Sequence, residues 1–480
     1  MNAAERFWRN MMFAFERFGT APALLCDDGR TITYAELNEE SRQLSSALPE
    51  RSLVFCLCRN SPGSVLGYVT CLNHGHVPLL LAEALDPAQL DALLRIYRPA
   101  FLWLPEERAA EFTGMSARHH AWGYTLLETG YAESYPLHKD LCLLLTTSGS
   151  TGSPKLVRHT GDNLRSNIQS IIEYLAVTSS ERPITTLPMH YTYGLSVINI
   201  HLAVGAPIIL TEHTVMQQAF WERFTTCEAT SMAGVPYTYA MLRRLGFFRM
   251  ALPSLRSLNQ AGGKLPPELQ DEYISWAEKT GRTFYVMYGQ TEASPRMGYL
   301  PWEKAREKHG SMGIAIPGGR FSLIDTDGNS ISTPGVVGEL VYEGPNVTPG
   351  YAECGEDLCL GDERHGILHT GDMAMFDADG FFTVVGRKKR FLKVFGNRVN
   401  LDEIEYMLRE AYPAMDTACA GVDDLLYVFI TDASLCEAVK DMLADKTRLH
   451  HSAFKVIYLK AIPQNASGKT LYQALEAYYA

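Results

Sequence analysis

Residues 141–158 read Leu-Cys-Leu-Leu-Leu-Thr-Thr-Ser-Gly-Ser-Thr-Gly-Ser-Pro-Lys-Leu-Val-Arg, and no other stretch narrows the choice of fold as much. An apolar run that suits only a buried strand or a buried helix start gives way at once to hydroxyls, glycines and a single lysine. Glycines let backbone N–H groups approach an anion closely, and Ser and Thr hydroxyls add donors. Thr147, Ser148, Gly149, Ser150, Thr151, Gly152 and Lys155 are therefore candidates for cradling a polyphosphate. The Gly-x-x-x-x-Gly-Lys-Ser/Thr spacing is absent, so this is not a Walker A loop. A flexible surface turn can have the same composition.

Apolar runs at 53–57, 77–81, 141–145, 207–210 and 283–287 alternate with helical patterns. Such alternation predicts an α/β fold with largely buried sheets. A chain of 480 residues exceeds one ordinary core, so two or more domains are expected. From 313 to 386 the texture changes to short β segments, and 373–376 with 381–385 read as a hairpin around Asp377-Ala378-Asp379-Gly380. After Gly386 a smaller unit begins, in which Asn400 can cap a helix with Glu403 reaching back and Leu401, Ile404, Leu408 and Ala411 on one face. The expected boundary separates 1–386 from 387–480.

The net charge of −11 argues against a nucleic-acid partner. The ten cysteines are scattered, and the lone Cys56-x-Cys58 reads as core rather than zinc ligand. There is no signal-peptide core and no apolar run long enough to span a membrane, so a cytoplasmic location is expected. Phe7, Met11, Phe15 and Phe18 carry the spacing of an amphipathic helix packed on its own domain.

Further motifs follow in order. Met287-Tyr288-Gly289-Gln290-Thr291-Glu292 ends an apolar strand, Gly338-Glu339-Leu340 leads to Gly350-Tyr351, and His369-Thr370-Gly371-Asp372 precedes Gly386-Arg387-Lys388-Lys389. Lys393-Val394-Phe395-Gly396-Asn397-Arg398 and Pro463-Gln464-Asn465-Ala466-Ser467-Gly468-Lys469 complete the series. Together with the 141–158 stretch and Thr33-Tyr34-Ala35-Glu36-Leu37, these resemble the motifs of the adenylate-forming superfamily: acyl-CoA synthetases, stand-alone adenylation enzymes and luciferases. The resemblance runs over nearly the whole chain.

The resemblance implies a large N-terminal domain of layered α/β sheets with a β-rich subdomain, and a small mobile α+β C-terminal domain. It implies ATP, Mg²⁺ and CoA as co-substrates. Tyr288, beside Gly289, would stack on adenine, Thr291 would bind the α-phosphate and Glu292 would hold the metal. Gly262 and Gly263 would complete the nucleotide site, Asp372 would accept the ribose hydroxyls and Arg387 would reach ribose or phosphate. Lys389 would be the hinge, Gly396 would let pantetheine pass, and Lys469 would be the catalytic lysine. The Gly338–Tyr351 segment reads as structural, and Lys388 and Arg390 read as a solvated basic face.

The acyl pocket implied by the resemblance is lined by His190, Tyr191, Tyr193, Gly194, Val235 and Ala261. No aspartate occurs between Leu187 and Leu202 to pair with a substrate ammonium, and burying one unpaired costs several kcal/mol, so a free amino acid is disfavoured. Tyr191 stands where acyl-CoA synthetases carry a histidine. Aryl and fatty acids both fit, and the acceptor thiol is CoA or, alternatively, a phosphopantetheinyl carrier protein. An oxidative luciferase-like second step and a non-catalytic binding protein of the same fold are the remaining alternatives.

Overall fold

The structure, a computed structural model, describes residues 12–131, 134–146, 155–395, 397–422, 424–464 and 470–479, without the side chains of residues 389, 391, 393, 397 and 398. Contacts divide the chain into two compact units, Met1–Phe321 with Tyr342–Leu368 and Ser322–Val341 with His369–Ala480.

In the first unit the 141–145 run forms the strand Leu141–Thr146, inside an eight-stranded sheet. Its neighbour Val77–Ala82 pairs in parallel both with it and with Leu53–Cys58, and Pro62–His74 is the helix connecting those last two strands. All six positions of Leu53–Cys58 are buried, as a strand covered on both faces requires. A nine-stranded sheet holds the parallel strands Ser231–Gly234, Ser257–Gln260 and Thr283–Gly289, beside which Arg296–Leu300 returns antiparallel. One apolar cluster ties the two sheets together: Val54 and Leu143 from the first, Leu24 and Ile208 from the second, with Leu66 and Ile198 from helices between them in sequence. The expected α/β architecture is thus present.

The expected N-terminal helix does not extend through the described residues. Phe7 and Met11 lie outside the described residues, and Phe15–Arg17 forms only a 3-10 turn. Asn73 explains this, because its side chain takes the Phe13 N–H (2.9 Å) and gives a bond to the Phe13 carbonyl (3.0 Å). Those groups are then committed to a side chain rather than to helical neighbours.

In the second unit the expected hairpin is present as Ile367–Phe376 and Phe382–Arg387. Asp377 closes its turn by accepting from the N–H groups of Asp379 and Phe381. Further on, Thr417–Val422, Leu425–Ile430 and Phe454–Tyr458 form a three-stranded sheet that shares a core with helices Leu401–Ala411 and Cys436–Thr447. Asn400 caps the first helix through the Asp402 N–H (3.0 Å), and Glu403 does not return a bond. Its amide instead donates to the Val385 carbonyl (2.8 Å), tying the helix start to the hairpin.

Arg390 is not a solvated residue. It is buried, bonded to Asp402 (2.8 Å) and Glu405 (2.6 Å), and lies 3.9 Å from the Tyr472 ring centroid. Glu405 also accepts from Arg409 (2.9 Å), the Tyr472 hydroxyl (3.0 Å) and the Cys419 N–H (2.7 Å). A buried carboxylate with this many donors is compensated, whereas losing one partner of such a pair costs about 3–5 kcal/mol. Lys388 is exposed but paired with Glu339 at 2.7 Å.

Candidate active site

Two parallel strands of the nine-stranded sheet finish together, with Gly234 opposite Gln260, while the third, in which Val286 lies opposite Gln260, runs on to Gly289. The chain therefore leaves the parallel strands along one edge at Val235, at Ala261-Gly262-Gly263 and, a little further out, at Gln290 to Glu292. The carboxyl edge of parallel strands is where α/β folds keep ligands.

At this edge Tyr193, Val235, Ala261 and Met287 form a buried cluster, with Tyr174, Tyr191 and Tyr299 packed on it. Gly262 has φ +81°, and a Cβ there would lie 2.7 Å from the Tyr191 hydroxyl oxygen and 3.0 Å from Val235 Cγ1. Only glycine fits both the backbone and the space. Gly263 accepts from Gln260 Nε2 (2.8 Å), while Gly194 sits in the first turn of helix Thr192–Val204. Tyr193 donates to the Asn259 carbonyl (2.7 Å). Burial pushes the His190 pKa down to about 4 and the Tyr191 pKa up to about 12, so both are neutral at pH 7. His190 Nδ1 is buried with no hydrogen-bond partner among the described residues.

Next to the cluster, Thr291–Ala293 makes a 3-10 turn whose three carbonyls are all engaged. His159 Nε2 lies 3.2 Å from the Thr291 carbonyl, Thr348 donates to that of Glu292 through N–H and hydroxyl (both 3.0 Å), and Asn346 donates to that of Ala293 (2.7 Å). The Glu292 carboxylate accepts from the Tyr351 hydroxyl at 2.7 Å. Lys155 Nζ lies 3.8 Å from the Tyr351 ring centroid and 3.2 Å from Glu353, and the Arg364 guanidinium lies 4.4 Å from the same ring. Two cations and a carboxylate thus share one tyrosine. Tyr288 meets Phe321 edge to face, and a Cβ at Gly289 would fall 1.8 Å from the Pro295 carbonyl oxygen.

Arg296 is 2% exposed and reaches the cluster from the returning strand. Its Nε and Nη2 both face Ser196 Oγ (3.2 and 3.1 Å), and Nη1 faces the Tyr174 hydroxyl and Met287 Sδ (3.3 Å each). It lies 5.1 Å from the Tyr193 ring centroid. These contacts are longer than the roughly 2.7–2.9 Å of charge-assisted bonds. Desolvating one ion costs several kcal/mol, and an aromatic face returns only about 2 kcal/mol.

In the second unit Asp372 and Arg387 are opposite residues of the hairpin ladder, with Arg387 Nε 3.4 Å from the Asp372 carboxylate. The Asp372 side chain is buried and that of Arg387 largely exposed. The Thr-Gly-Asp motif lies within a strand.

The family profile of AMP-binding enzymes matches residues 13–352. The chain belongs to this family. Among its relatives, feruloyl-CoA synthase of an Amycolatopsis species is 29% identical, over 92% of this chain and 93% of the relative. A long-chain-fatty-acid–CoA ligase of Salmonella typhimurium is 28% identical, over 73% of this chain and 64% of the relative. In fold, the chain is similar to o-succinylbenzoate CoA synthetase from Bacillus subtilis in complex with an acyl-adenylate intermediate (TM-score 0.79, 23% identity, 97% of this chain and 98% of the other). It is similar too to the same enzyme in complex with ATP and magnesium ion (TM-score 0.77, 22% identity, 97% and 99%).

In this AMP-binding enzyme the structure gathers the expected residues into three groups. Lys155 and Glu292 meet at Tyr351; Tyr191, Tyr193, Val235, Ala261 and Gly262 surround one cluster; Asp372 and Arg387 pair. Thr147, Ser148, Gly149, Ser150, Thr151, Gly152, Gly396 and Lys469 lie outside the described residues, as does the Lys389 side chain. The flanks of the Lys469 segment are joined by a bridge between Gln464 and Thr470 and a bond from the Leu471 N–H to the Pro463 carbonyl (2.8 Å).

Sequence reading assigned Tyr351 only a structural part and passed over His159, Asn346, Thr348, Arg364 and Arg296. The Gly-Tyr pair and the single charge opening an apolar strand were the available signals. Among the described residues no group of three or more His, Cys, Asp or Glu could cage a metal. One fixed carboxylate suits a hard cation that brings phosphate and water oxygens with it, so Glu292 fits Mg²⁺ carried by a nucleotide.

Proposed function

We propose that this enzyme condenses a carboxylic acid with ATP to an acyl-adenylate and pyrophosphate, and then passes the acyl group to the thiol of CoA, releasing AMP. It is an AMP-forming acid–thiol ligase. The observation that carries this reading is the Lys155–Tyr351–Glu292 constellation at the carboxyl edge of a sheet belonging to the AMP-binding family.

The reaction brings an anionic carboxylate to an anionic phosphate, so charge is the main obstacle. Glu292 would hold Mg²⁺, which would supply charge neutralisation at the phosphates. Tyr351 fixes the Glu292 carboxylate, and Lys155, near Glu353 and the Tyr351 ring, is a mobile cation that can turn to phosphate. Thr291 and residues 147–152 donate to phosphate oxygens, Tyr288 lies on adenine, and Asp372 accepts from the ribose hydroxyls with Arg387 beside it. Lys469 bridges the attacking carboxylate and the phosphate, and turning about Lys389 exchanges it for the Gly396 segment that admits the thiol. The domain boundary at 386/387 belongs to this reading.

The test is acid-dependent exchange of labelled pyrophosphate into ATP, with Lys469→Ala beside the wild type. Exchange with one acid class, lowered at least roughly 100-fold in the variant, is expected. Exchange that survives unchanged would remove Lys469 from the chemistry, and none with any acid would remove the reaction. Adding CoA or a carrier protein then identifies the acceptor.

A further inference from the structure

The acyl cluster is built of aliphatic and tyrosine side chains and holds one cation. Arg296 is a guanidinium buried against Tyr193, Tyr174 and Met287, and among the described residues no carboxylate forms an ion pair with it. Arginine keeps its charge in any protein environment, so burial cannot be relieved by losing a proton. Its Nε/Nη2 edge, the fork that matches the two oxygens of a carboxylate, is spent on the single oxygen of Ser196. The backbone beneath it is pinned, for the Arg296 carbonyl accepts from Asn167 (2.9 Å) and Asn346 (3.0 Å). A fixed cation whose partners are all neutral is what an anion-specific subsite needs.

We infer that Arg296 selects acids bearing a second carboxylate, remote from the one that is activated, and that Ser196 and Tyr174 complete that subsite. This inference rests on the adenylation reading above. The carboxylate being activated loses its charge on becoming an acyl group, so pairing it with Arg296 would favour the ground state over the transition state. The second carboxylate keeps its charge throughout and can hold the bidentate contact from binding to release. The same cation repels an ammonium, in line with the missing aspartate between Leu187 and Leu202.

Matched acids test this without any variant: hexanoate against adipate, and phenylpropanoate against para-carboxyphenylpropanoate. Both pyrophosphate exchange and calorimetric binding are read. The wild type is expected to favour the dicarboxylate of a pair by at least roughly 10-fold in kcat/KM. Arg296→Met is expected to erase that preference through KM, and Arg296→Lys to keep part of it. A wild type that exchanges only with monocarboxylates overturns the inference and leaves the adenylation reading standing. Equal losses for both acids in Arg296→Met also overturn it, making the residue a structural strut. If no acid supports exchange, the adenylation reading falls. Calorimetry then decides the inference: dicarboxylate binding by the wild type lost in a folded Arg296→Met upholds the subsite, and its absence overturns it.

Discussion

At Tyr351 one side chain handles two opposite charges, its hydroxyl on Glu292 and its ring against Lys155 and Arg364. Burial and the neighbouring carboxylate raise its pKa, so the hydroxyl stays protonated and donates. A hydrogen bond to a charged group is worth about 1.5–3 kcal/mol. Tyr351→Phe is expected to lower kcat/KM for ATP in the exchange assay by roughly 10- to 100-fold, with the melting temperature little changed. An unchanged value would mean that Glu292 needs no positioning. Glu292 was legible in the sequence because its motif is local. Tyr351 was not, because it comes 59 residues later and reaches the site through pairing of Gly350–Ala352 with Leu156–Thr160, where Tyr351 faces Val157.

The element that matters most is the turn Thr291–Ala293, too short to hold itself. Asn346 spans it, donating to the carbonyls of Ala293 and Arg296 while its Oδ1 accepts from the Tyr342 hydroxyl (2.8 Å). Asn346→Ala would leave the Ala293 carbonyl and the Tyr342 hydroxyl without this partner, while the Arg296 carbonyl keeps its bond from Asn167. The expected loss is about 2–4 kcal/mol, measured as a shift in the urea midpoint, with a rise in KM for both ATP and acid. A shift in stability alone would show the turn to be held by His159 and Thr348. Periodicity predicted the long elements here, such as strands Leu141–Thr146 and Thr283–Gly289. Over the described part of the N-terminal pattern it predicted helix where only a 3-10 turn forms, because Asn73, 60 residues from Phe13, takes the Phe13 backbone groups. A helical spacing of apolar residues says which ones are buried, not which hydrogen bonds the backbone makes.

On the scale of the whole molecule, His76, His159 and His201 are at most 4% exposed, and burial pushes each from 6.5 to about 4. The unfolded chain takes up these protons as the pH falls through about 6.5, and the native protein does so only near 4. Their contribution to stability is therefore complete above pH 6.5 and is lost as pH falls toward 4, by up to about 1.4 kcal/mol per pH unit for each group. His190 and His74, also lowered by burial, act in the same direction, and Glu212, whose pKa burial raises, opposes them. The urea midpoint should drop between pH 6.5 and 5, and His201→Gln should flatten that slope. A flat wild-type profile would mean that these histidines take up protons in the native state.

By itself the sequence determined the family and the α/β layering, because motifs and periodicity are local patterns of chemistry, and it named the charged residues proposed for the reaction. Only the tertiary structure decided that Asp372 faces Arg387, that Arg390 is an internal ion rather than a surface one, and that Arg296 is buried against Tyr193. A charge in a sequence has no stated environment. The energy of that charge depends on which distant strands and helices remove its water, and packing alone settles that.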